Sequence, residues 1–271
     1  TLSAADLGAV TAKTTGTVTL DNAQTISGTG AEVTAALITN AATLSAASNA
    51  TVTGNVTAEV AGNIANVTDI TAAFSGTITD TLANLADSGS ITTNFSRARG
   101  DDGDVNVVVS DGTGTLSAAD LGAVTAKTTG TVTLDNAQTI SGSGAELIAA
   151  LKTNAATLSA ASTATVTSAV TAAVAAEIAA IASITLDSSG SGTITDTLAN
   201  LLNGGQTAIS DDYSNARAED TDVNVIISDG TGTIDAAKLS LITAKTGGTV
   251  TLQNAQTISG TGTEVTTALI T

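Results

Sequence analysis

Residues 1–40 read TLSAADLGAVTAKTTGTVTLDNAQTISGTGAEVTAALITN, and residues 115–154 read TLSAADLGAVTAKTTGTVTLDNAQTISGSGAELIAALKTN. Only four of those forty positions differ: Thr29/Ser143, Val33/Leu147, Thr34/Ile148 and Ile38/Lys152. The phrase returns from Thr233 as TIDAAKLSLITAKTGGTVTLQNAQTISGTGTEVTTALIT. The copies begin 114 and then 118 residues apart. The chain therefore divides into repeat 1 (1–114), repeat 2 (115–232) and a partial repeat 3 (233–271). Near-identity over such a length marks recent tandem duplication, which builds arrays whose units rest on their neighbours.

A shorter rhythm runs inside each repeat. Thr/Ser–aliphatic–Thr/Ser triplets recur at Thr1-Leu2-Ser3, Thr17-Val18-Thr19, Thr43-Leu44-Ser45, Thr51-Val52-Thr53 and Thr77-Ile78-Thr79. Such alternation predicts a short strand with one aliphatic turned inward and two hydroxyls outward. Val105–Val109 and Val223–Ile227 are the plainest strands. Between triplets the spacing turns helical. Ser3-Ala4-Ala5-Asp6 resembles a capping box before Leu7 and Val10, and Gly30-Ala31-Glu32 leads into Val33, Ala36 and Leu37. Asp80 is placed to cap a short helix carrying Leu82 and Leu85, and Val166–Ile184 reads as a packed, Ala-rich helix. Glycines punctuate the units where the chain turns. The expected fold is mainly β: an elongated β-solenoid of tandem repeats with short helices at its corners. The alternative is a set of α/β repeat domains. The uneven triplet spacing leaves the coil length open.

Composition excludes several roles. The 271 residues include 53 Thr, 51 Ala and 26 Gly, but no His, Cys, Met, Trp or Pro. Without Cys there is no disulfide, thiolate chemistry or Cys-ligated metal centre. Without His there is no Ser-His-Asp triad and no imidazole base. A net charge of −17 repels nucleic acid, and three aromatics (Phe74, Phe95, Tyr213) offer no stacking platform for bases. No apolar run is long enough for a membrane span. Aspartate pairs are present, but none sits in an apolar, aromatic setting that would raise one pKa for acid–base work. No enzyme activity is expected.

The acidic stretches are the candidate site. Residues 97–104 read RARGDDGD and their counterparts 215–222 read NARAEDTD. Carboxylates at alternate positions on a Gly-bearing loop supply the hard oxygens that calcium takes. Asp101, Asp102, Asp104 and Asp111, with Glu219, Asp220, Asp222 and Asp229, are the candidate calcium ligands. Neither an EF-hand loop nor the Gly-Gly-x-Gly-x-Asp nonapeptide is matched. The competing reading is a solvated turn in which Arg99 or Arg217 pairs with a neighbouring acid. Arg99-Gly100-Asp101 spells an integrin tripeptide, but its counterpart is Arg217-Ala218-Glu219, so the array does not keep it. Thr-x-Thr triplets also occur in ice-binding solenoids, although the irregular spacing here breaks a flat threonine rank.

The VTLDNAQTISGTGAEV and TITDTLANL phrases resemble the low-complexity repeats of giant bacterial surface and secreted proteins, known best from cyanobacterial haemolysin-like exoproteins. The resemblance spans the whole chain and rests on repeat style. It implies an extracellular or cell-surface protein, exported without a cleaved N-terminal signal, in a filament, coat or adhesin stalk, with calcium as the associated ion. The expected partners are copies of the chain itself, end to end or side by side.

Overall fold

The computed structural model describes residues 1–40, 42–187 and 192–270. About 36% of the chain is helical and 29% is strand, alternating along the sequence. The architecture is α/β. This corrects the expected mainly-β solenoid with helices only at its corners. The reason lies in the hydroxyls. Ser3, Thr29, Thr57 and Thr92 are extended, and each side chain accepts the backbone N–H three residues on. An oxygen placed there satisfies an orphan donor of a helix, so a strand passes directly into a helix. Ala-rich continuations then favour the helix. The result is Ala4–Thr11, Gly30–Thr34, Ala58–Ala65 and Thr93–Asp101 in the first repeat. Within Val166–Ile184 only Ala172–Ala179 is helical, and strands end at Val166 and begin at Ile184.

The chain forms two compact units. The first comprises Thr1–Thr113, Ala119–Asn136 and Asn154–Ser159. One of its sheets orders Leu2–Ser3, Thr25–Thr29, Ser48–Thr53 and Ile70–Phe74, all parallel. Leu2 pairs with Ile26, Ile26 with Ala50 and Ala50 with Ala72, steps of 24, 24 and 22 residues. A second sheet orders Thr77–Asp80, Asn106–Val109, Val132–Leu134 and Thr157–Leu158. There Ile78 pairs with Val107, and Val107 with Val132, steps of 29 and 25 residues. The longer step holds an antiparallel hairpin, Ala86–Asp87 with Ser90–Ile91. Parallel neighbours need a crossover, and the capped helices supply it.

The second unit comprises Gly114–Ala118, Ala137–Thr153 and Ala160–Thr271. Thr115–Ser117, Thr139–Gly142, Ser162–Val166 and Ile184–Asp187 form one parallel sheet, with Thr115, Thr139, Thr163 and Thr185 in a single column. Ile194–Asp196, Val225–Ile227 and Val250–Leu252 form another, and Gly232–Asp235 pairs with Gln256–Ser259. The unit boundary does not follow the repeat boundary. Val132–Leu134 and Thr157–Leu158 of repeat 2 extend the sheet that Thr77–Asp80 of repeat 1 begins.

The core is narrow. Ile26, Ala50 and Ala72 share one ladder level and are fully buried. The helices add Leu7, Val33, Leu37, Ile64 and Phe95. Small side chains let the helices approach closely: a Cβ on Gly62 would stand 2.6 Å from the backbone of Asn94. Among the described residues no helix is long and apolar enough to cross a membrane.

Candidate functional site

Two acids of residues 97–104, Asp101 and Asp102, face backbone N–H groups, and Asp102 also meets Asp104. Asp101 ends the helix Thr93–Asp101, and Asp102 follows it. The Asp101 carboxylate accepts from Ala72 N–H at 2.8 Å, and Asp102 accepts from Phe74 N–H at 2.6 Å. Ala72 and Phe74 lie on Ile70–Phe74, the edge strand of its sheet. Two consecutive carboxylates thus stand where the carbonyls of a further strand would be. The Arg99-Gly100-Asp101 tripeptide is helical, and its aspartate is held against that strand.

Asp111 accepts from Leu82 N–H at 2.6 Å, and its counterpart Asp229 accepts from Leu198 N–H at 2.7 Å. Each opens the short helix, Leu82–Leu85 or Leu198–Leu201, from about 30 residues downstream. The backbone carbonyls of Asp111 and Asp229 accept from the Asn136 and Asn254 amides, both at 2.7 Å. Asp220 is buried and accepts from Asp222 N–H at 3.3 Å. Glu219 is the last residue of its helix, Asp211–Glu219. Among the described residues no group of three or more Asp or Glu side chains is arranged to hold a metal ion. Of the set Asp101, Asp102, Asp104, Asp111, Glu219, Asp220, Asp222 and Asp229, Asp102 meets Asp104 and Asp220 meets Asp222, while Asp101, Asp111, Glu219 and Asp229 stand apart at a strand edge, helix starts and a helix end.

Partial burial pushes the Asp102 carboxyl up, with the neighbouring Asp104 adding to the effect against the Phe74 N–H that lowers it. Asp222 is also raised, chiefly by sharing a proton with Asp220. The fold therefore disfavours ionised Asp102. Its cost is absent below the unfolded value near 3.8 and is felt as pH rises through the higher folded value. Asp102→Asn keeps an oxygen for Phe74 N–H and should flatten that loss in urea titrations between pH 3 and 7. Asp102→Ala orphans the N–H and should cost about 1 kcal/mol at neutral pH.

Asp80 is expected from sequence to cap the short helix carrying Leu82 and Leu85; the N-cap there is Thr81 and the Leu82 N–H goes to Asp111, while Asp80 gathers other donors. It is buried, and so is its counterpart Asp196. Asp80 accepts from Thr81 N–H (2.9 Å) and Asn84 Nδ2 (2.7 Å) on one oxygen, and from Ala58 N–H (2.9 Å) on the other. Asp196 repeats this with Thr197, Asn200 and Ala172 at 2.9, 2.7 and 3.1 Å. Each carboxylate thus joins two helix starts, and a negative charge is favourable at both. Beside Asp80 lies an open polar cavity of about 330 Å³, bordered by Thr57, Glu59, Asn84 and Asn94. A similar one of about 300 Å³ borders Asp196. The spacing TITDTLANL, present at both sites, is the sequence signal for this knot.

Phe95 and Tyr213 occupy equivalent positions in the helices Thr93–Asp101 and Asp211–Glu219, both fully buried. Burial pushes the Tyr213 phenol up to about 12. Comparison of the chain with protein-family models, with curated proteins and with solved structures found no match in any of the three.

Proposed function

We propose that the chain is a structural component of an extracellular filament or cell-surface coat, assembling by repeat-to-repeat stacking. The observation that carries this reading is how the repeated polar residues are used. Asp80 and Asp196, Asp111 and Asp229, and Asn106 and Asn224 make the same bonds in both long repeats, and most run to backbone groups. Thr29–Glu32, Ser143–Glu146 and Thr261–Glu264 form the same reciprocal helix cap three times. Backbone hydrogen bonding lowers Glu32 and Glu146 below the ordinary glutamate range. Near-identical sequence is thus invested in making each coil fit the next. The extracellular placement rests on the resemblance to bacterial surface repeats. The negative surface limits side-by-side clumping until salt screens it. Electron microscopy of the purified chain across salt and calcium concentrations should show threads or sheets. Dispersed single particles under every condition would refute the proposal.

A further inference from the structure

The hairpin that follows each TITDTLANL phrase closes differently in the two long repeats. In repeat 1 Ala86 pairs with Ile91 around Asp87-Ser88-Gly89-Ser90. In repeat 2 Leu202 pairs with Ile209 around a loop two residues longer, Asn203-Gly204-Gly205-Gln206-Thr207-Ala208. Asn203 therefore stands where repeat 1 carries Asp87. Of the 16 asparagines in the chain, Asn203 alone precedes a glycine.

The Asn203 side chain folds back over this loop. Its Oδ1 accepts from Thr207 N–H at 2.9 Å and from Ala208 N–H at 3.4 Å. The same oxygen lies 3.9 Å from where a Cβ on Gly205 would stand. Backbone bonds hold the loop in that shape: Asn203 N–H donates to the Ala208 carbonyl at 2.9 Å, and Gln206 N–H to the Asn203 carbonyl at 2.7 Å. Two N–H donors converging on an amide oxygen stabilise the negative charge that gathers there when the amide carbon is attacked. The attacking atom is the next backbone nitrogen. Gly204 is exposed and has no side chain to shield that nitrogen, and a Cβ on it would meet nothing within 4 Å.

We infer that Asn203 is a self-modification site, where the chain converts its own side-chain amide to a carboxylate. Gly204 N–H gives its proton to solvent hydroxide, and the nitrogen bonds to Asn203 Cγ. The charge on Oδ1 is held by the Thr207 and Ala208 N–H groups. The Cγ–Nδ2 bond then breaks, and Nδ2 leaves as ammonia with a proton taken from water. Water opens the resulting five-membered imide at either carbonyl, to an aspartyl or an isoaspartyl linkage at position 203. The aspartyl product keeps an acceptor for Thr207 and Ala208 and gives repeat 2 the residue type that repeat 1 holds at Asp87. The isoaspartyl product lengthens the main chain by one methylene inside the hairpin. Either adds a negative charge to a chain already at −17, in a loop whose Gln206 side chain the Lys238 ammonium holds. This chemistry is independent of the stacking function.

The full chain, kept folded at pH 8 and 37 °C, is digested at intervals and mapped by mass spectrometry. Position 203 should gain the mass of one amide-to-acid exchange at least tenfold faster than any other asparagine. It should also react faster than a synthetic peptide of residues 198–212, which carries the Asn-Gly pair without the folded loop. Gly204→Val shields the nitrogen and should slow the reaction at least tenfold. Its added atoms enter open space, so the fold is kept, which circular dichroism verifies. A reaction at Asn203 no faster in the folded chain than in the peptide would overturn the inference. So would an unchanged rate in the Gly204→Val chain.

Discussion

Replacing Asp80 with alanine is expected to destabilise the first unit by about 3 kcal/mol, because three donors lose their acceptor together. Ala58 N–H, Thr81 N–H and Asn84 Nδ2 all end on this one carboxylate, which is 8% exposed. Asp80→Asn should fall between wild type and alanine, since it keeps one carbonyl oxygen but turns an NH2 group toward a donor. Asp196→Ala should cost a similar amount in the second unit, where the same three bonds recur. Hydrogen exchange separates the two outcomes. Asp80→Ala should speed exchange across Ala58–Ala65 and leave Ala172–Ala179 protected; Asp196→Ala should do the reverse. Unchanged exchange in the affected helix would show that the carboxylate is not what holds these helix starts.

Gly130→Ala and Gly248→Ala should each cost roughly 2–3 kcal/mol. Both glycines occupy one position of the repeated phrase, and each N–H donates to the threonine hydroxyl two residues before it. A Cβ on Gly130 would press on the carbonyl of Asp104 and lie 2.5 Å from that of Val105. On Gly248 it would press on the carbonyl of Asp222 and lie 2.6 Å from that of Val223. Backbone cannot move aside as a side chain can, so the cost arises where the segment leading into the strand Asn106–Val109 or Val225–Ile227 lies underneath. Thermal unfolding of the two variants should show losses of similar size. Unchanged stability in either would mean that this contact does not require glycine.

The sequence made some of this legible. The repeated phrase announced the tandem copies, Val105–Val109 announced a strand, and Gly30-Ala31-Glu32 announced a helix start; the strand Asn106–Val109 and the helix Gly30–Thr34 are there. Two things were hidden. A Thr-x-Thr triplet signals a strand and a helix cap equally well, because its last hydroxyl can face out of a ladder or accept an N–H of the next helix. Counting triplets as strands alone led to a mainly-β fold. The partners of the acids were hidden for a different reason. Asp101 and Asp102 meet Ala72 and Phe74 across 29 and 28 residues, and no local spacing reports a partner that far away. Adjacent carboxylates look alike in sequence whether they hold a cation or terminate a sheet.

That termination has a consequence for how such a chain survives at high concentration. It is dense in threonine, valine and isoleucine and contains no proline, a composition that favours open-ended cross-strand growth. Ile70–Phe74 would offer its bare amides to any extended segment in solution. Asp101 and Asp102 occupy two of those amides and place negative charge along the rim, so an approaching strand meets both a lost hydrogen-bonding register and electrostatic repulsion. A pair of aspartates thereby acts as a gatekeeper against amyloid-like recruitment at that edge.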